Sequence, residues 1–260
     1  MKAWTTIEVT DVHPHIAVLT MNRPGRRNAI NARMADELED CLTSLQARPD
    51  LRVLVITGAG PTFGAGADLK ERALLAPRQT KKARDTVLRF IEKLEAFRVP
   101  VIAMLNGPTI AGSFEIALAC DIRVASDRAI FSLPEVSKVG AFPGAGGPVR
   151  LPRLVGRGRA NLVVLTGRVF SSRQAFALGF VEVVVPDERL LDETLSLARQ
   201  IAGNSPEGVS AAKQLILRSN DLDLPSAMAL SCALRDPMDG TAAAAEGIQA
   251  WAGKRNPEFS

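Results

Sequence analysis

Two short runs with almost no polar residue, Leu51–Ile56 and Val99–Leu105, constrain this chain more than any other feature. Uninterrupted apolarity over so few residues reads as a fully buried strand. Further strand-like runs fall at Ile16–Met21, Ile122–Ala125, Ala129–Ser132 and Val181–Val185. Between them lie helical patterns: Ala32–Gln46 with Met34, Leu38, Leu42 and Leu45 on one face, Thr80–Phe97 with Val87, Leu88, Ile91 and Leu94, and the short Gly112–Cys120. Buried strands alternating with helices predict an α/β fold with parallel pairing, whose connections cross over the sheet. After residue 187 the pattern turns wholly helical, over Glu188–Ala202, Pro206–Ser219, Leu224–Leu234 and Thr241–Trp251. Ser205-Pro206-Glu207 is a strong helix start, with a capping hydroxyl, proline at the first helical position and a first-turn carboxylate. The chain therefore divides into an α/β core over 1–187 and a helical region over 188–260.

At 260 residues, 47% hydrophobic and 23% charged, the chain has the composition of a soluble globular protein. Its net charge of +4 is scattered, apart from Arg23, Arg26 and Arg27 and a cluster at Arg78, Lys81, Lys82 and Arg84. That suits a small anionic ligand and argues against nucleic acid as the partner. Cys41, Cys120 and Cys232 are widely spaced with no CxxC, so neither a disulfide framework nor a metal site is expected, and a reducing, cytoplasmic setting is. The start, Met1–Glu8, lacks a charged-then-apolar leader pattern. Asn106, Gly107, Pro108 and Glu115 interrupt the apolar stretch 99–120, so no membrane span is expected there.

The strand ending at Ile56 runs into Thr57-Gly58-Ala59-Gly60-Pro61-Thr62-Phe63-Gly64-Ala65-Gly66. A dinucleotide fingerprint would need glycine where Phe63 stands. A short-chain dehydrogenase would need a catalytic tyrosine, and the chain has none. A phosphate-binding P-loop would continue Gly-Lys-Ser/Thr, whereas Gly66 is followed by Ala67-Asp68. What is left is a loop of small residues, Phe63 to Lys70, that lets a ligand approach the main chain closely. Taken alone, a single glycine-rich loop is more simply a tight turn between strand and helix, and the ligand reading needs a second feature that agrees. A second such bend, Asn106 to Ser113, opens a helix near Gly112, whose first-turn amides lack internal partners and carry the positive dipole end. Glu115 stands in that first turn among Phe114, Ile116, Ala117 and Leu118. Glu135 follows a short apolar strand, and Gly140–Gly147 leads into a helix near Pro148. Two carboxylates near one apolar cavity suit acid/base chemistry, because burial and mutual repulsion push their pKa values apart. A Ser/His/Asp hydrolase is disfavoured: the only histidines are His13 and His15, and Ser113 is not in a Gly-x-Ser-x-Gly turn.

The ordered set Asn22-Arg23-Pro24 with Asn28-Ala29-Ile30-Asn31, Phe63 to Lys70, Asn106 to Glu115 with Ala119 to Arg123, Pro134-Glu135 and Pro143 to Gly147 resembles the crotonase (enoyl-CoA hydratase/isomerase) superfamily. The likeness spans the whole chain, including the closing Glu246–Trp251 and Lys254–Pro257. It implies a spiral of β-β-α units with a helical C-terminal region, assembled as a homotrimer or a dimer of trimers. It also implies an acyl-CoA substrate, with coenzyme A as part of that substrate and no permanently bound cofactor. The amides of Ala65 and Gly112 would form an oxyanion hole, and the backbone of Ala65, Gly66, Ala67, Asp68 and Leu69 would line the CoA path. Arg26, with Arg27, would lie by the pantetheine and nucleotide portion. Glu115 and Glu135 would be the catalytic carboxylates, Glu115 activating water and Glu135 protonating the α-carbon of a trans-2-enoyl-CoA. A double-bond isomerase, an acyl-CoA or C–C hydrolase, and a non-catalytic CoA- or RNA-binding protein are the alternatives within the fold.

The chain departs from that pattern in three places. The family's triple-glycine bend is here Ile110-Ala111-Gly112-Ser113. Phe114 is bulkier than the usual residue and is expected to reshape the acyl pocket. Glu135 to Gly144 is one position longer than the usual spacing, which would either displace Glu135 or bulge outward. Asp121 and Arg123 are expected to be structural, a turn carboxylate and a strand-edge cation.

Overall fold

The computed structural model describes residues 4–259, so Met1–Ala3, part of the stretch read for a leader, and Ser260 lie outside it. The chain opens with an antiparallel hairpin of β1 (Ile7–His13) and β2 (Ile16–Met21). Helix α1 (Ala32–Gln46) starts where the Asn31 side chain accepts the Met34 amide, and it buries Met34, Leu38, Leu42 and Leu45 as their spacing predicts. Next come β3 (Val53–Gly58), the single turn α2 (Leu69–Arg72), α3 (Pro77–Glu95), β4 (Val101–Leu105) and the two-residue β5 (Thr109–Ile110). Helix α4 (Gly112–Ala119) leads to β6 (Ile122–Ser126) and β7 (Ile130–Ser132). A π-helical turn at Glu135–Val139 precedes α5 (Gly147–Val155), α6 (Arg157–Thr166), β8 (Phe170–Ser171), α7 (Ser172–Leu178) and β9 (Val183–Val185). Four helices close the chain: α8 (Leu190–Ala202), α9 (Pro206–Ser219), α10 (Leu224–Arg235) and α11 (Ala242–Ala252).

The main sheet has the order β1-β2-β3-β4-β6-β9, parallel throughout except for the β1–β2 hairpin. Its central strands are apolar on both faces because both faces are covered. Leu19, Leu54, Ile56, Ala103 and Leu105 enter a core shared with α1, α3 and α4, while Val18, Val53, Val55, Ile102 and Met104 face a second core closed by Leu190, Ala198 and Ala202 of α8. Helix α8, which begins just past the expected division at 187/188, thus packs directly on the sheet. The remaining helices differ sharply: α9 and α10 bury no residue and α11 buries only Ala250. A small second sheet, β5-β7-β8, ties the bend before α4 to the strand that ends just before Glu135. Among the described residues, no helix is long and apolar enough to cross a membrane.

The strands β1, β5 and β8 were not expected. β1 lies at the sheet edge with only Ile7 buried, and two-residue strands carry no readable period. The expected strand-edge position of Arg123 is also corrected, since β6 runs between β4 and β9. Arg123 is 2% exposed, and its guanidinium pairs with Glu182 and donates to the carbonyls of Ala117 and Cys120, where a cation complements the C-terminal end of α4. Asp121 accepts the Val101 amide and the Lys213 ammonium, fastening α9 to the core.

Candidate active site

The two small-residue bends lie against each other. Gly64 and Thr109 form a parallel bridge: the Gly64 amide donates to the Pro108 carbonyl at 3.1 Å, and the Ile110 amide donates to the Gly64 carbonyl at 2.9 Å. A methyl group on Gly66, which has φ +79°, would stand 2.6 Å from the Ala111 Cβ and 3.0 Å from the Gly112 nitrogen. Only glycine fits so close an approach in that backbone conformation. The first bend is held from behind by Asn28, fully buried, whose Nδ2 donates to the carbonyls of Ala59 and Thr62.

This arrangement decides which amides are free. The Ala65 amide donates to the Arg27 carbonyl at 3.0 Å, so it is not available to a ligand, and the expectation that it forms one half of an oxyanion hole is corrected. The Gly66 amide donates to Ser113 Oγ at 3.1 Å and the Asp68 amide to the Ile30 carbonyl at 2.9 Å. Ala67 pairs with Ile30 in a parallel bridge whose bonds use the Gly66 carbonyl and the Asp68 amide. Its own N–H therefore points away from Ile30 and has no acceptor among the described residues. Ala67 is exposed, and Gly112, whose amide is the first of α4 and also without an acceptor, is half-buried. The alternation of engaged and free amides is set by pairing with residues 27–30, which no local motif announces.

The remaining expected ligand-lining residues divide. Leu69 is exposed, and Arg26 is exposed on the turn Pro24–Arg26 without an ion pair among the described residues. The Asp68 carboxylate is committed within the protein, capping α2 through the Glu71 amide and pairing with Arg23 at 3.0 Å.

Glu115 is 2% exposed, on a helix whose residues from Ser113 to Ala119 are all buried. Its Oε1 accepts the amides of Ala145 and Gly147, both at 2.8 Å, which sets it against the N-terminal end of α5. Burial raises its pKa from the ordinary carboxylate value, and these two amides and Arg150 act in the opposite direction. Arg150 also fixes that loop: it is paired with Glu95 through two 2.8 Å bonds and donates to the Ala145 carbonyl. Sequence reading missed Arg150, and its only signal was the spacing from Gly147.

Glu135 opens the π turn that follows β7. The extra position between Glu135 and Gly144 is taken up by the π turn, with Gly140 at φ 69° donating back to the Glu135 carbonyl. Residues 136–140 are all exposed, so the added residue bulges outward. The Glu135 carboxylate is left with Oε2 buried and without a partner. Burial pushes its pKa up to about 7; the hydrogen bond from its own backbone amide acts in the opposite direction, and the nearby charge of Glu115 adds a smaller push upward. Phe114 does not reshape this space: it is fully buried and stacks with Phe131 and Phe180 at ring distances of 5.4 and 5.2 Å, on the core side of α4. A cavity of about 930 Å³ lined by Leu118, Asp121, Arg150 and Lys213 lies at the opposite end of α4 from Gly112.

Two free amides on adjoining bends, with a held carboxylate and one with an unpartnered oxygen beside them, can bind an oxygen that gains negative charge while protons move next to it. The chain is similar over nearly its whole length to known proteins. The profile of the family described as enoyl-CoA hydratase/isomerase matches residues 11–260. The chain is 38% identical over 244 residues to the 2,3-dehydroadipyl-CoA hydratase of Escherichia coli, covering 94% of each. It is 34% identical to the enoyl-CoA isomerase/hydratase fer4 of Mycosarcoma maydis, covering 93% of this chain and 91% of the other. The crystal structure of an enoyl-CoA hydratase from Bacillus anthracis superposes with a TM-score of 0.96 at 36% identity, over 98% of this chain and 99% of that one. The α/β spiral with its helical C-terminal region is thus the crotonase fold, and the chain belongs to the enoyl-CoA hydratase/isomerase family.

Proposed function

We propose that the protein adds water to a trans-2-enoyl-CoA, giving a 3-hydroxyacyl-CoA through an enolate. The observation that carries this reading is the pair of unlike carboxylates, Glu115 held by two amides and Glu135 with a buried unpaired oxygen. The thioester oxygen accepts the N–H groups of Ala67 and Gly112, which stabilise its developing negative charge; losing one such donor typically costs about 3 kcal/mol. Glu115, oriented by the amides of Ala145 and Gly147, takes a proton from the water that attacks the β-carbon. Glu135, with a pKa of about 7, is substantially protonated near neutral pH and delivers its proton to the α-carbon. One O–H bond of water, the O–H bond of protonated Glu135 and the C=C π bond are broken, a C–O bond forms at the β-carbon and a C–H bond at the α-carbon, and the proton taken by Glu115 restores the site when passed back to Glu135. Arg26, exposed on the turn Pro24–Arg26, would meet the phosphates of the CoA tail, a role that its charge supports.

Double-bond isomerisation is the second reading, and the pKa of Glu135 is what favours it. One carboxylate that both accepts and releases a proton near neutrality suffices to move a double bond along the acyl chain. The same proposal includes a trimeric assembly through α9–α11, whose exposed Ile216, Leu224, Met228, Ile248 and Trp251 would be covered in it; sedimentation of the purified chain reads that directly.

Crotonyl-CoA hydration, followed as loss of the conjugated thioester absorbance, tests the function. Wild type is expected to be active, with Glu115→Gln and Glu135→Gln both severely impaired. Full hydratase activity in Glu135→Gln would overturn the two-carboxylate mechanism. Inactivity of the wild type across acyl chain lengths, with CoA still bound, would overturn the hydratase reading.

A further inference from the structure

Ser113 takes no part in the proton transfers above, yet it stands where the two bends join. It is fully buried, and its Oγ accepts the Gly66 amide at 3.1 Å. Gly66 is buried as well, so without that oxygen its N–H would be left unpaired, which is unfavourable in a dry setting. On its other side the Gly66 carbonyl accepts the Ile30 amide at 2.8 Å. Those two bonds grip a residue that, as glycine with φ +79°, has more rotational freedom than any other. The peptide that follows carries the Ala67 N–H, so the grip on Gly66 sets where that N–H points.

The hydroxyl has room only because residue 64 is glycine. A Cβ there would lie 2.2 Å from Ser113 Oγ and 2.7 Å from Ser113 Cβ, whereas the next neighbour, Met21 Cε, is at 3.5 Å. Gly64 is not among the glycines with positive φ, so its backbone would accept alanine and Ser113 is the obstacle. We propose that Gly64 and Ser113 form a size-matched lock between the two bends, in which Ser113 is a positioning residue that aims the Ala67 amide at the thioester oxygen. This rests on the reading of the Ala67 and Gly112 amides as the oxyanion site.

The test compares wild type, Ser113→Ala, Gly64→Ala and the double variant Gly64→Ala/Ser113→Gly. Four quantities are read: kcat and KM for crotonyl-CoA, the near-ultraviolet enolate absorbance of bound acetoacetyl-CoA, and the thermal midpoint. Ser113→Ala is expected to lower kcat by about 10- to 100-fold, with KM within about threefold of wild type, and to weaken the enolate absorbance. Gly64→Ala is expected to be worse, up to failure to fold. Removing the Ser113 side chain in the double variant vacates the space for the new methyl, and both folding and enolate absorbance should recover above Gly64→Ala alone. A wild-type kcat and enolate signal in Ser113→Ala, or a double variant no better than Gly64→Ala, would overturn the lock. A wild type that hydrates no enoyl-CoA, while the enolate signal follows the lock across the variants, would instead overturn the hydratase reading and support the positioning role.

Discussion

Glu115 and Glu135 are chemically identical and lie near one another, yet their supports are opposite. Glu115 rides on a helix buried from Ser113 to Ala119, and the N-terminal end of α5 donates two amides to one of its oxygens. Glu135 begins a π turn whose following residues are all exposed, and one of its oxygens is buried with no partner. Burial raises the proton affinity of both, but only Glu115 has donors that favour its charged form from outside its own segment. A held carboxylate suits the abstraction of a proton from water at a fixed point. An unpaired one is suited to carrying a proton at neutral pH. The π turn makes the second arrangement compatible with one extra residue, because widening the helical turn places the insertion outside the site.

The largest effect that sharpens this contrast is on turnover. Glu115→Gln is expected to lower kcat for crotonyl-CoA hydration by about 10³- to 10⁴-fold, and Glu135→Gln by about 10²- to 10³-fold, since the mobile proton is more readily supplied by solvent than the fixed base is replaced. Steady-state kinetics checks this, and the reverse order would break the assignment of roles. Next comes the support of Glu115. A methyl on Gly147 would lie 3.1 Å from Glu115 Oε1 and 3.2 Å from Leu133 Cδ1, so Gly147→Ala is expected to displace the carboxylate and cost about tenfold or more in kcat, with a small change in KM.

A smaller effect appears in stability against pH. Glu135 has a folded pKa of about 7 against an ordinary 4.5, so the folded state binds the extra proton between those values. Its contribution is therefore fully present below pH 4.5 and is lost as pH rises to 7, with a slope of at most about 1.4 kcal/mol per pH unit. Denaturant titrations should show Glu135→Gln gaining stability relative to wild type over that window and the difference levelling off above it. The smallest effect concerns the strained entry to α4. Ala111 sits at φ 54°, ψ −131°, a conformation that disfavours any side chain, so Ala111→Gly is expected to raise unfolding free energy by about 1 kcal/mol.

Much of this was legible in the residues, for physical reasons. Strands covered on both faces cannot hide their apolarity, so Val53–Ile56 and Val101–Leu105 stood out, as did helices capped by Asn31 or Ser205. Glu115 was visible because a carboxylate inside an apolar run demands an explanation, and Glu135 because it directly follows a short apolar strand. The edge strand β1 and the two-residue β5 and β8 were not visible, since little of them is buried. Neither was the shift of the free amide from Ala65 to Ala67. Which amide of a small-residue loop is left unpaired depends on its register against residues 27–30, a non-local pairing. Phe114 misled because its bulk was readable and its direction was not: the rings of Phe131 and Phe180 draw it to the core side.

The most direct test of the different roles of the two glutamates is a carboxyl titration of the folded protein, by carbon NMR with labelled glutamate assigned through the two glutamine variants. An apparent pKa near 7 for Glu135, falling but staying above 4.5 when Glu115 becomes glutamine, is the expected result. Titration of Glu135 at about 4.5 in both proteins would contradict it.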